Sequence, residues 1–173
     1  VVKKFNGIIP NDWEKFYSLP GVGDYTAAAV LSIAFNKPYA VIDGNAKRVM
    51  SRILGIKNLT SRNLSRIHQT LSNIIPEHTP GDFNQSIMEL GATLCTARSP
   101  SCNKCPVSFG CKAFKTNKPC CYPKPSAKKI KPHYTIVVGI IWRGNTFFIQ
   151  RRSEKSMLGG LWEFPGGKVK QGE

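Results

Sequence analysis

Four cysteines constrain this chain more than any other feature. Cys95, Cys102, Cys105 and Cys111 run as C-x6-C-x2-C-x5-C within seventeen residues. Four thiolates so close in sequence can surround one metal centre, and Pro100, Pro106 and Gly110 supply the turns this requires. A disulfide framework belongs to secreted chains, and no secretory feature accompanies these cysteines. Structural zinc takes four cysteines in its commonest closed site. An iron–sulfur cluster takes four thiolates as well, so spacing alone leaves both open. Cys120 and Cys121 stand next to each other in a Pro/Lys stretch and read as bystanders rather than ligands.

Charge narrows the partners. The 173 residues amount to one domain, or one and part of another, at roughly 150 residues per domain. Hydrophobic residues make up 41% and charged ones 20%, a globular balance. No apolar run approaches the ~18 residues of a membrane-spanning helix, and no membrane partner is expected. Lys and Arg outnumber Asp and Glu by 25 to 10, for a net charge of +15. A surplus of that size suits a polyanion, most often nucleic acid. No acidic residue stands between Glu89 and Glu154, where twelve Lys and Arg fall. Seven of these are lysines between Lys112 and Lys131, in company with Pro119, Pro123, Pro125 and Pro132. Such a segment cannot hold a helix and reads as an extended linker over 115–132, either a solvated tether or one that also lies along phosphate.

Before that linker the hydrophobic period is helical. Ala46 to Leu54 places Val49, Met50, Ile53 and Leu54 on one face and Lys47, Arg48 and Arg52 on the other. Asn63 to Ile75 repeats the pattern, and Asp82 with Gln85 predicts a capping-box variant at the next helix start. After the linker, Tyr134 to Trp142 reads as a strand, Gly144-Asn145 as a turn, and Thr146 to Gln150 as the returning strand. Leu19-Pro20-Gly21-Val22-Gly23 joins a helix-like stretch (Asn11 to Ser18) to an apolar one (Tyr25 to Phe35). Glycines there expose backbone N–H groups at a helix start, where the dipole favours phosphate. A tight turn between helices explains the same residues without a ligand. Asp43, in Val41-Ile42-Asp43-Gly44-Asn45, stands where an N-cap is expected.

The order of these signals resembles the helix–hairpin–helix DNA glycosylases over roughly Asn11 to Phe114. Within them the chain is most similar to the adenine DNA glycosylases. The similarity lies in Leu19-Pro20-Gly21-Val22-Gly23-Asp24-Tyr25-Thr26-Ala27, Val41-Ile42-Asp43-Gly44-Asn45, Gly81-Asp82-Phe83-Asn84-Gln85, Met88-Glu89-Leu90-Gly91-Ala92 and the cysteine loop. Endonuclease III, a near relative, has a Schiff-base lysine where this chain has Tyr25 and a Thr-His pair where it has Gly44-Asn45. Tyrosine cannot form the imine. Leu161-Trp162-Glu163-Phe164-Pro165-Gly166-Gly167, followed by Gly172-Glu173, resembles the opening of a Nudix domain, which adenine glycosylases carry after their cluster to recognise 8-oxoguanine.

The resemblance implies a mainly α fold. A helix–hairpin–helix glycosylase domain (1–94) is followed by a 4Fe–4S cluster loop (95–114), the linker, and the start of an α/β Nudix-like domain (133–173). It implies base-excision repair of adenine opposite 8-oxoguanine or guanine in double-stranded DNA. The expected protein is a monomer inside the cell, in the bacterial cytoplasm at the nucleoid or in a eukaryotic nucleus. Breaking the N-glycosidic bond builds positive charge on the sugar, which a carboxylate stabilises while a second acid protonates the base. Asp43 takes the first role, with Tyr25 and Asn45 as its polar supports and Lys47 near the sugar. Leu19, Gly21, Val22 and Gly23 bind the DNA backbone, and Cys95, Cys102, Cys105 and Cys111 hold the cluster. The family's glutamate acid precedes the hairpin. Glu14 is the only glutamate there and stands in no matching motif, so the chain is expected to be an internal fragment. A non-catalytic DNA-binding module, an endonuclease III-like glycosylase and a Nudix hydrolase with an N-terminal extension are the alternatives.

Overall fold

The structure, a computed structural model, describes residues 1–125 and 132–169. The chain divides into two compact units, Val1–Ser126 and Ala127–Glu173. The first is helical: α1 (Val2–Phe5), α2 (Trp13–Tyr17), α3 (Asp24–Phe35), α4 (Gly44–Leu54), α5 (Ser61–Ile74), α6 (Pro80–Thr93) and α7 (Lys112–Lys115). Short polar side chains start three of these helices. Asp12 accepts from the Lys15 N–H, Asp43 from Ala46 and Thr60 from Asn63, each satisfying an N–H that the helix itself cannot. Left-handed Asn36 (φ 53°) ends α3 and left-handed Gly55 (φ 72°) ends α4.

Two apolar clusters hold the unit together. Ala40, Met50, Ile56, Ile67 and Leu71 join α4 and α5, as the two helical stripes require. Phe16, Ala27 and Leu31 join α2 and α3. Helix α6 closes on α3 through Gly81, where a Cβ would stand 2.9 Å from the Ile33 Cα and 3.0 Å from the Ser32 carbonyl oxygen. Backbone cannot yield there as a flexible side chain would. Gly81→Ala is therefore expected to cost about 1–3 kcal/mol by overpacking, read as a lower urea midpoint with unchanged slope.

Three expectations need correction in this unit. The capping box is not made, because α6 starts at Pro80 and puts Asp82 inside its first turn. Gln85 donates to the Gly81 carbonyl at 3.3 Å instead. Arg52 does not lie on the solvent face of α4; it is 2% exposed. The early part of the expected linker is folded back on the helices. Arg52 Nε donates to the Pro119 and Tyr122 carbonyls at 3.0 Å, and the Lys124 N–H donates to the Lys57 carbonyl at 2.7 Å. Nor is the Pro/Lys stretch without helix: α7 covers Lys112–Lys115 and a short 3-10 helix covers Pro119–Cys121, where proline takes the first position because its missing N–H is not needed there. Residues 126–131, which include Lys128, Lys129 and Lys131, lie outside the described residues.

The second unit holds β1 (Ile136–Val138), β2 (Trp142–Arg143), β3 (Thr146–Phe147), β4 (Gln150–Arg151), β5 (Trp162–Glu163) and β6 (Gly166–Lys168). They form three antiparallel pairs, β1–β6, β2–β3 and β4–β5. Gly144-Asn145 is the two-residue turn between β2 and β3, with Gly144 at φ 58°. The strand expected over Tyr134 to Trp142 is broken into β1 and β2, because Gly139 turns to donate to the Pro165 carbonyl and β1 pairs with the distant β6. Gly172 and Glu173 lie outside the described residues.

Candidate functional site

The hairpin between α2 and α3 presents backbone rather than side chains. Gly21 sits at φ 81°, a conformation that glycine adopts without strain, and Gly23 starts α3 with no side-chain cap. Among the described residues the N–H groups of Gly21 and Gly23 have no hydrogen-bond partner. Leu19 and Val22 pack inward against the Phe16, Ala27 and Leu31 cluster, and the Val22 N–H is used by the Leu19 carbonyl at 3.1 Å. Of the four hairpin positions, the two glycines offer the donors and the two aliphatic residues brace them.

Asp43 is at once a cap and a free charge. Its Oδ1 accepts from the Ala46 N–H at 2.6 Å, while Oδ2 has no partner among the described residues. Its chain neighbour Ile42 and Lys47 line a cleft of about 780 Å³ with Trp13, Asp24, Tyr25 and His68, while Asp43 itself is not among the lining residues. Tyr25 opens onto that cleft, 51% exposed. Asn45 is not brought to it. Its Oδ1 accepts from Arg48 Nη2 at 2.8 Å, and a Cβ on Gly91 would come within 2.6 Å of its own Cβ. About half a helical turn separates Asn45 from Asp43 and carries it toward Gly91 on α6.

Three positioning residues were not singled out from the sequence. Asn84, 2% exposed, accepts from the Val41 N–H at 3.0 Å and donates to Ser32 Oγ and the Tyr39 carbonyl, both at 2.9 Å. It thereby fixes the segment that delivers Asp43. Arg48 donates to the carbonyls of Gly91 (2.7 Å) and Cys95 (2.9 Å). Arg52 donates to those of Cys95, Thr96 and Ala97, and to Cys95 Sγ at 3.3 Å. Asn84 was legible only as part of a family motif, and the arginines looked like ordinary helix-surface cations.

Those arginines lead from α4 to the thiols. Cys95, Cys102, Cys105 and Cys111 line one cavity with Arg52, Leu94, Pro100 and Phe114. Burial pushes the Cys102 thiol pKa up, with Cys95 and Cys111 adding to the shift and Arg52 opposing it. Among the described residues no three His, Cys, Asp or Glu side chains are arranged to hold a metal ion. The cations of the first unit are unneutralised. Sixteen Lys and Arg stand against seven Asp and Glu in Val1–Ser126, and both ion pairs among the described residues lie in the second unit.

The chain is similar to solved structures of DNA glycosylases. A thermostable thymine-DNA glycosylase is 32% identical with a TM-score of 0.61, over 67% of this chain and 54% of that one. Endonuclease III trapped covalently on DNA is also 32% identical, with a TM-score of 0.57 over 67% and 54%. The chain is of the helix–hairpin–helix DNA glycosylase class. Its sequence is 39% identical to the adenine DNA glycosylase of Arabidopsis thaliana over 90% of the chain and 27% of that protein. It is 35% identical to the adenine DNA glycosylase of Buchnera aphidicola from Acyrthosiphon pisum, over 99% of the chain and 49% of that protein. For Schizosaccharomyces pombe the identity is 34%, over 90% and 42%. The chain belongs to the adenine DNA glycosylase family, and it spans between about a quarter and a half of the length of these relatives. No family model matches it.

Proposed function

We propose that this chain carries the core of a base-excision repair glycosylase that hydrolyses the N-glycosidic bond of adenine mispaired with 8-oxoguanine or guanine. The observation that carries the reading is the extent of the similarity. An adenine glycosylase matches 99% of the chain, second unit included, whereas the endonuclease III structure matches 67%. Tyr25 supports the same choice, since a phenol cannot form the imine of a lysine-dependent lyase.

Asp43 supplies the anionic half of the chemistry. The target nucleotide leaves the duplex, the Gly21 and Gly23 amides hold the displaced backbone, and the free Oδ2 of Asp43 faces the positive charge that grows on the sugar. Tyr25 and Lys47 line the cleft that receives the nucleotide. The four cysteines would hold a 4Fe–4S cluster, which supplies a structural cross-link between α6 and α7. A structural zinc would take four thiolates as well, and the resemblance to the adenine glycosylases, whose cysteine loop holds such a cluster, is what favours the iron–sulfur centre. The second unit is read as the start of the Nudix-like domain that recognises 8-oxoguanine, and the protein as a monomer working wherever the cell keeps its DNA.

The test is excision from duplexes bearing one A:8-oxoguanine, A:G or A:T pair, using the full-length protein. Adenine release from the first two and not the third is expected. Strand cleavage at oxidised pyrimidines would return the endonuclease III-like reading. Binding without excision would leave a DNA-binding module, and nucleotide hydrolysis would indicate a Nudix enzyme.

A further inference from the structure

A second cleft shares a wall with the first. It occupies about 630 Å³ between the start of α4, the turn before α5 and the returning segment at Tyr122–Pro125. Lys47 lines both clefts. The cations here are Lys47, Arg48, Arg52 and Lys124, and no Asp or Glu is among the lining residues. Two of the four are already committed: the Arg48 and Arg52 guanidiniums are spent on carbonyls, Asn45 and Cys95. Lys47 and Lys124 pair with no carboxylate among the described residues. Leu59, Tyr122 and Pro123 give the cleft an apolar floor between them.

This arrangement is built rather than incidental. Lys124 belongs to the stretch that composition reads as a loose tether, yet its N–H is bonded to the Lys57 carbonyl at 2.7 Å. Two residues earlier, the Tyr122 carbonyl accepts from buried Arg52, which also grips Cys95, Thr96 and Ala97. The guanidinium that braces the thiol loop thus also sets where Lys124 stands. Two unpaired ammonium groups over an apolar floor match a sugar–phosphate unit, whose anionic oxygens need cations and whose deoxyribose does not.

We propose that this cleft binds a backbone phosphate of the DNA strand that carries the target nucleotide, with Lys124 as the contact that composition would have assigned to a linker. The inference rests on the DNA reading above. Because Lys47 is the common wall, the base side of the strand enters the Tyr25 cleft and a flanking phosphate enters this one. Lys124 reads no base. Its loss weakens all duplexes alike and removes one phosphate from the salt dependence, a change of about 0.9 in the slope of log affinity against log salt.

The test measures duplex affinity of the full-length protein across salt for the parent, Lys124→Ala and Lys124→Arg. A single neutral methylphosphonate is also placed at each phosphate flanking the mispaired adenine in turn. The slope is expected to fall by about one for Lys124→Ala and to persist for Lys124→Arg. At one flanking position the methylphosphonate should weaken the parent and add nothing to Lys124→Ala. An unchanged slope in a parent that binds duplex overturns this contact and leaves the DNA reading standing. Additive losses at every position also overturn it, by showing that Lys124 touches none of those phosphates. A parent with no duplex affinity removes both.

Discussion

Asp43→Asn should stop adenine release while leaving duplex binding nearly intact. The substitution keeps the side-chain oxygen that accepts from the Ala46 N–H, and asparagine caps a helix about as well as aspartate. Stability should therefore change by only a few tenths of a kcal/mol. What disappears is the negative charge on an oxygen that the helix does not use. If that charge serves the oxocarbenium-like state, its loss falls on the transition state and spares the ground-state complex. Electrostatic groups of this kind are worth on the order of a hundredfold or more in rate, about 2.7 kcal/mol at least. Single-turnover excision from an A:8-oxoguanine duplex by the full-length protein reads the effect directly. A variant within a few-fold of the parent would make Asp43 a cap and nothing more.

That dual role shows how far a sequence can be read. The cap at Asp43 follows from one residue before an amphipathic run, and the structure makes the bond. The α4 and α5 stripes were legible because each helix pays its burial in a periodic pattern that needs no knowledge of its neighbours. Arg52 was misplaced for the opposite reason. A helical wheel puts it with Lys47 on the wet face, and only carbonyls from the cysteine loop and from Pro119 and Tyr122 make that position dry. The packing of Asn45 was illegible for the same reason, since its surroundings are set by Gly91 on α6. Residues 119–125 looked like a tether because proline and lysine content reports what a segment cannot form, not what holds it. In the second unit the turn at Gly144 was local and came through, while β1 pairs with β6 across a separation that no short-range signal marks. Contacts made within a few residues were mostly readable, the capping box at Asp82 and Gln85 being the exception, and those made between elements were not.

The largest structural effect should come from removing the proposed cluster. Protein purified without oxygen is expected to be brown and to carry about four irons per chain, whereas colourless protein with one zinc would sink the cluster assignment. Chelating the iron from the full-length protein should then open the loop from Cys95 to Cys111. Arg48 and Arg52 hold its first residues, Cys95 to Ala97, but the cysteines beyond have only two short turns at Cys102–Lys104 and Ser108–Gly110, with no buried residue in either. Its thiols would lose the bonds that offset their crowding, and Arg52 would face the cavity with only backbone carbonyls to meet its charge. Because a metal site of this kind is assembled only on folding, its binding energy is folding energy, on the order of 10 kcal/mol for structural sites. Limited proteolysis should therefore cut the iron-free protein between Cys95 and Cys111 and spare the loaded form. The damage should also reach Asp43, since Arg48 ties the start of α4 to the Cys95 carbonyl. An iron-free protein that resists protease and still excises adenine would show that the loop stands without its cluster.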